Sequence, residues 1–211
     1  MIKTLEVAGI GPSFHAMRNP YDSWKESDTH HGKIGPIDAA LSNKLAMAGT
    51  EHCKHMRMII VWAEMWMPLY WWKQFDTYRM GVEKESCSTM HTIAKRNLTE
   101  DDFAYSDEED KLHFLIDVLP RINNQIDIYN SNRDDKEARM TAWKKIISDM
   151  PESFIQRRTV MMSYAALRSM YFQRKGHKLK EWMELRNWVT TLPESWIITS
   201  ENIPMEEEED L

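Results

Sequence analysis

A run of large apolar side chains at residues 56–67 (MRMIIVWAEMWM), closed by Pro68, limits the folds open to this chain more than any other feature. It holds too many consecutive bulky apolar residues for a helix with one buried face. It is also too short, and too interrupted by Arg57 and Glu64, to cross a bilayer. The solution that remains is a strand buried on both sides, which needs partner strands and covering helices. A chain of 211 residues, 42% hydrophobic and 28% charged, can supply them around one substantial core. We expect a single domain over 1–204.

The rest of the chain reads as helices with few strands. Residues 4–9 (TLEVAG) read as a strand ending in the turn Gly9-Ile10-Gly11-Pro12. Residues 14–24 contain Arg18-Asn19-Pro20, a loop or helix end, since proline pushes Asn19 out of helical conformation. Residues 27–36, with His30-His31, read as a mobile loop. Apolar residues at 37, 40, 41, 45 and 48 predict a helix over 36–49 with Gly49 at its C-terminal cap. Helical spacing returns over 68–79, and 101–110 is an acidic spacer. A helix over 112–129 is expected to kink or divide at Pro120, and a polar turn follows at 130–136. Three more helices are expected over 138–150, 159–175 and 179–190. The fold class expected is α+β: a small, mostly antiparallel sheet with several helices and a helix-rich C-terminal half.

Charge and cysteine usage narrow the partners. The net charge is −6, and the acids Glu206 to Asp210 crowd a tail, 205–211, expected to be solvated and disordered. An acidic balance argues against a broad nucleic-acid surface. Two cysteines, Cys53 and Cys87, and an N-terminus unlike a signal peptide fit a reducing cytoplasm. Sixteen Met and nine Trp suit a core or an oligomer interface.

Common catalytic patterns are missing from the sequence. His52, Cys53 and His55 cannot all face one ion on regular secondary structure, so no metal is expected. There is no Gly-x-Ser-x-Gly turn and no glycine-rich phosphate loop. Arg157 and Arg158 precede an apolar segment along which Arg168 and Arg174 lie. Guanidinium groups there suit a phosphate or carboxylate ligand, and equally suit pairing with surface acids. Residues 68–90 set a Trp71-Trp72 pair among Gln74, Asp76, Thr77, Tyr78, Arg79, Glu85, Ser86, Cys87 and Ser88. So many hydrogen-bonding side chains beside aromatic surface need partners, and a bound small molecule is one source of them.

Residues 49–90 resemble the flavin-dependent thymidylate synthases, whose mark is an Arg-His-Arg motif followed by a serine. Laid on that pattern, Thr77, Tyr78 and Arg79 occupy the Arg-His-Arg positions, Glu85 the motif glutamate and Cys87 the serine. Gln74 falls on a nucleotide-contacting glutamine, Pro68 on the proline after a long strand, and His52 on a histidine near the flavin. Ser23 resembles a flavin-contacting serine, Arg158 a nucleotide-phosphate arginine, and Phe172-Gln173-Arg174 the Asn-x-Arg flavin motif.

The resemblance implies FAD as cofactor, held by Ser23, His52, Tyr78, Arg79, Glu85 and Arg174. It implies a pyrimidine nucleotide bound by Gln74, Glu85, Ser86, Cys87, Ser88 and Arg158, with methylenetetrahydrofolate as carbon donor. Arg79, Cys87 and Arg158 would be its catalytic residues, in sites built between subunits of a homotetramer. The implied activity is methylation of dUMP or a related nucleotide. The alternative is a non-catalytic homologue that binds a nucleotide or a partner protein. Thr77 cannot replace the phosphate-binding fork of an arginine, and Cys87 is a nucleophile only where something lowers its pKa.

Overall fold

The structure, a computed structural model, describes residues 1–30 and 32–201; His31 and the expected acidic tail at 205–211 lie outside them. In chain order the main elements are β1 (Ile2–Ala8), α1 (Ile10–Met17), α2 (Pro36–Met47), β2 (Ile60–Pro68), α3 (Leu69–Phe75), β3 (Val82–Ser86) and α4 (Thr89–Thr92). There follow α5 (Glu108–His113), α6 (Leu119–Ser131), α7 (Lys136–Ser148), β4 (Ile155–Ser163), α8 (Tyr164–Gln173), α9 (Lys180–Val189) and α10 (Trp196–Thr199). The strands form one sheet in the order β1-β2-β4-β3. Its register is antiparallel. Met1 and Trp66 exchange backbone hydrogen bonds, Tyr164 N donates to Ile59 O while Leu69 N donates to Phe154 O, and Ser163 N donates to Gly81 O while Cys87 N donates to Arg157 O.

The apolar run becomes a strand only from Ile60, since Met56 and Arg57 belong to a 3-10 turn (His55–Arg57), and only one face of the strand is fully buried. Val61, Ala63, Met65 and Met67 are buried, while Ile60, Trp62, Glu64 and Trp66 are half-buried. The period of two, and not continuous burial, therefore governs β2. A second correction concerns 159–163, expected to open a helix and found to finish β4. Val160 and Met162 point into the core from that strand. The helix begins only at Tyr164, where the Ser163 hydroxyl accepts from Ala166 N at 3.2 Å and caps it. β3 had no counterpart in the sequence reading. At the other end, α1 starts at Ile10, inside the expected turn, because Pro12 is tolerated in a first helical turn.

The described chain divides into two compact units. One comprises Met1, Met65–Thr77 and Glu85–Thr159. Its core joins Ile93, Leu98, Phe103, Phe114, Ile122, Ile126 and Ile146, and α6 packs along α7. The helix expected to break at Pro120 runs on from α5 through a π-helical turn, Phe114–Val118, into α6. Proline has no N–H for the carbonyl one turn back, and a widened turn just before it absorbs the mismatch.

The other unit comprises Ile2–Glu64, Tyr78–Lys84 and the chain from Val160 onward. Phe14, Met56, Ile59, Tyr164, Leu167, Trp182, Leu185 and Val189 are buried in it. The Tyr164 hydroxyl donates to Pro193 O at 2.6 Å and the Trp188 indole to Thr4 Oγ1 at 2.9 Å, so large aromatic surface is buried with its polar ends satisfied. Gly9 is required where β1 turns into α1: its φ is +92°, and a Cβ there would meet Met58 O at 2.2 Å. No helix among the described residues is long and apolar enough to cross a membrane.

Candidate functional site

In the unit holding α2 and α8, a cavity of about 620 Å³ opens beside α8. One face of that helix lines it: Ala165, Ala166, Arg168, Ser169, Phe172 and Gln173, at the spacing that brings helical residues to one side. Opposite stand Ala46 and Met47 from the end of α2, Gly49, Thr50, Cys53 and Arg57 from the loop after it, and the turn Met80-Gly81. Gly81, at φ +69°, lets that turn close on α8, since a Cβ would meet Ser163 Oγ at 2.5 Å. The alanines leave room and the Met and Phe side chains supply apolar wall.

Arg168 is the polar centre of this cavity. Its Nη1 donates to Ile198 O at 2.9 Å and its guanidinium lies 4.8 Å from the Phe172 ring centroid. It makes no other hydrogen bond or ion pair among the described residues. Burial draws its pKa below the usual arginine value, yet a guanidinium stays charged. Among the described residues, four of its five N–H donors have no hydrogen-bond partner. Cys53 is no nucleophile here. Its thiol faces the carbonyl of Gly49 at 3.3 Å, and burial pushes its pKa up. A neighbouring cavity of about 410 Å³ shares Ala46, Arg168 and Phe172 and is framed by Lys175 and Glu201, an ion pair at 3.1 Å.

Of the residues expected to hold a cofactor, Tyr78 and Arg174 come together in this unit. Arg174 Nε donates to the Tyr78 hydroxyl at 2.9 Å, and that hydroxyl donates to Gln173 Oε1 at 3.0 Å. The Arg174 guanidinium lies 4.3 Å from the Trp182 ring centroid. Only Gln173 of this chain of contacts lines the cavity. His52 lies between the lining residues Thr50 and Cys53, half exposed and 3.7 Å from Glu51. Arg79 is exposed, next to the lining residue Met80, with no partner among the described residues. Ser23 lies in the loop after α1, its N–H donating to Arg18 O. Glu85 is exposed on β3, in the other unit.

The residues expected to bind substrate lie in that other unit, where Arg158 organises a second cluster. Its guanidinium stacks 4.3 Å from the Trp72 ring centroid. Nε donates to Gln156 Oε1 at 2.9 Å, and Nη1 to the Asp76 carboxylate at 2.9 and 3.3 Å. Gln156 Nε2 donates onward to Cys87 O at 3.1 Å and Thr89 Oγ1 at 3.2 Å, tying the end of β3 to β4. Cys87 is exposed, its sulfur 3.8 Å from the Thr92 hydroxyl. Gln74 is half-buried on α3, where its carbonyl accepts from Thr77. Ser86 is exposed at the end of β3, and Ser88 O accepts from the Thr92 hydroxyl. The sequence reading left open whether Arg158 meets a ligand or an acid; its partner is Asp76, from the same aromatic segment.

No family model and no curated protein matches this sequence. The fold does match solved structures. Thymidylate synthase X from Helicobacter pylori, solved with FAD and dUMP, is similar with a TM-score of 0.74 at 14% identity, over 95% of this chain and 98% of that one. A second structure of the Helicobacter pylori flavin-dependent thymidylate synthase, also with FAD and dUMP, gives a TM-score of 0.73 at 16% identity, over 94% of this chain and 98% of that one. The expected α+β fold, that of the flavin-dependent thymidylate synthases, is therefore the fold this chain adopts.

Proposed function

We propose that this chain is a flavin-binding protein acting on a pyrimidine nucleotide or a close relative of one, a divergent counterpart of the flavin-dependent thymidylate synthases. The reading rests on one observation above the rest: the cavity around Arg168, set in a fold shared over nearly the whole length with proteins solved with FAD and dUMP. The donor set fits a flavin nucleotide. A volume of about 620 Å³ lies in the range of cofactor pockets, its walls are mostly apolar, and its half-buried guanidinium has donors without a partner among the described residues for a phosphate or a ring carbonyl. Arg168, Thr50 and Gln173 would hold the group, while Met47, Met56 and Phe172 exclude water from it. FAD, when bound, supplies hydride chemistry that no side chain provides. In the other unit Arg158, Gln156 and Asp76 would orient the pyrimidine, with methyl transfer from a folate as the reaction and a homotetramer as the assembly.

A second reading, a homologue that binds without catalysis, draws support from two features. Thr77 stands exposed where the family has an arginine, and among the described residues Cys87 has only Thr92 as a side-chain partner. The test is the visible spectrum of the purified protein, with and without added FAD. We expect a bound-flavin spectrum, and a loss of about tenfold or more in FAD affinity for Arg168→Ala, the size of a charge-assisted hydrogen bond. A protein that cannot be loaded with FAD would remove the first reading. Binding of dUMP by such a colourless protein would establish the second.

A further inference from the structure

A cavity of about 320 Å³ that shares no lining residue with the Arg168 cavity lies on the hairpin of α6 and α7, within the unit that holds Glu85–Thr159. We propose that it binds a nucleoside monophosphate, with the base on Trp143 and the phosphate on Arg139 and Lys136. Tyr129 lines it from α6, and Lys136, Arg139, Met140 and Trp143 line it from α7. Those four follow the spacing that brings helical residues to one face. The hairpin buries its other side, Ile122 and Ile126 from α6 with Ala142 and Ile146 from α7, so the lining side chains stand on a rigid frame.

Charge and aromatic surface together define the ligand. The Arg139 guanidinium lies 4.4 Å from the Tyr129 ring centroid, and its Nη2 donates to the Tyr129 hydroxyl at 3.1 Å. That contact holds the fork in place without neutralising it. Nε is buried with no hydrogen-bond partner among the described residues, and a buried N–H calls for an acceptor. Lys136 is exposed and makes no hydrogen bond or ion pair among the described residues. Asp135, the acid that precedes it, caps α7 by accepting from Glu137 N at 3.1 Å and Ala138 N at 3.0 Å. No acidic side chain among the described residues lines the cavity. Both cations also sit in the opening turn of α7, where the helix dipole disfavours a cation and favours an anion. Two cations match the double charge of a phosphate monoester better than the single charge of a carboxylate. Trp143 is half-buried, its indole N–H donates to Met90 O at 3.4 Å, and it has no ring partner among the described residues. It gives the cavity an aromatic surface on which a flat ring can stack. Along α7 it stands about 6 Å from Arg139 and about 10 Å from Lys136, at ~1.5 Å per residue, so a sugar spans the gap over Met140. The volume is at the small end of ligand cavities and suits one nucleotide, not a dinucleotide.

The experiment is calorimetric titration of the full chain at low salt with adenosine 5′-monophosphate, adenosine and inorganic phosphate. A purine keeps the result independent of the pyrimidine reading of the Arg158 cluster. We expect the monophosphate to bind about tenfold or more tighter than adenosine, the effect of a charge-assisted contact, and inorganic phosphate to bind far more weakly than the monophosphate. Lys136→Glu, at an exposed position, should erase the advantage of the monophosphate and leave adenosine binding unchanged. Trp143→Leu should weaken both nucleoside ligands. Equal affinity for the monophosphate and adenosine in the wild type, or a monophosphate affinity unmoved by Lys136→Glu, overturns the proposal. Inorganic phosphate binding as tightly as the monophosphate overturns it, and so does a wild type that binds no monophosphate at millimolar concentration. Monophosphate binding lost in Arg168→Ala but kept in Lys136→Glu would put the nucleotide in the Arg168 cavity and overturn it as well.

Discussion

Asp38→Ala will lower the stability of the protein by about 3–5 kcal/mol, read as a drop in the urea midpoint, because it strips the partner from a buried arginine. Asp38 is fully buried and Arg18 is 4% exposed. Arg18 Nε and Nη2 both donate to Asp38 Oδ1, at 2.8 and 2.5 Å, and the Ser27 hydroxyl donates to Oδ2 at 2.6 Å. Without the carboxylate, Arg18 keeps among the described residues two hydrogen bonds to Glu26, each at 3.4 Å and with Glu26 largely exposed. Replacing both partners by apolar residues, as in Arg18→Met with Asp38→Leu, should cost much less than Asp38→Ala alone, since no stranded charge remains. Equal losses would show that the damage comes from packing.

The same pair carries a pH dependence of known sign. Burial alone would raise the Asp38 carboxyl, but hydrogen bonds from Ser27 and Arg18 and the Arg18 charge hold it below the usual carboxylate range. Its stabilisation is present above the ordinary aspartate value near pH 4 and is lost as pH falls through the lower folded value. Arg18 follows α1 and Asp38 lies in the first turn of α2, so the pair anchors the helix whose far end, Ala46-Met47, walls the Arg168 cavity. Losing it should loosen the cavity as well as the fold.

The sequence made some parts of this molecule legible and hid others for physical reasons. The 56–67 run announced a strand because nothing else accommodates so much apolar surface. Its half-buried face could not be read, because Trp62 and Trp66 are apolar on that face too. No part of β4 was expected as a strand, and its second half was read as helix: Val160-Met161-Met162 followed by Ala165, Ala166 and Leu167 gives an apolar stretch whose period changes only at Ser163. The signal available there was the serine, an N-cap residue placed just before a helical face. β3, VEKES, buries only Val82, so an exposed edge strand left no alternation to read.

At the candidate sites, motif reasoning chose residues by position in a family pattern, and side-chain contacts chose others. Arg158 and Cys87 are linked through Gln156, which no pattern singled out. Asp76 sat inside the most polar segment of the chain without an assigned role. Arg168 was visible only as one arginine along a helix; its exposure to a cavity depends on Gly49 and Gly81, which come from distant parts of the sequence. Such convergence is a property of the tertiary fold, and spacing along one helix could show only that Arg168, Ser169 and Phe172 share a face.

The largest pH effect on the acid side will come from His55. It is 3% exposed, its Nε2 lies 2.9 Å from the Ser42 hydroxyl, and the Phe14 ring meets it edge-on at 6.1 Å. Nδ1 is buried without a hydrogen-bond partner among the described residues, and the His52 backbone offsets only part of the cost of burying a second ring proton. Burial pushes the pKa down to about 4, against the ordinary 6.5. The unfolded chain therefore takes up a proton that the folded chain refuses, and stability is complete above pH 6.5 and falls as the pH drops toward 4. The gap is worth about 3 kcal/mol at the bottom of that window. Asp38 acts in the same direction but at lower pH, so the two effects separate along a titration. Urea midpoints measured from pH 8 to about pH 4 should fall steadily in the wild type. In His55→Gln, which keeps an amide near Ser42 but cannot titrate, the slope should flatten by one proton. An unchanged slope would mean that His55 is protonated at its ordinary pH in the folded state. Since Cys53, Met56 and Arg57 beside it line the Arg168 cavity, acid should also weaken whatever that cavity binds, in the same pH window and only in the protein that retains His55.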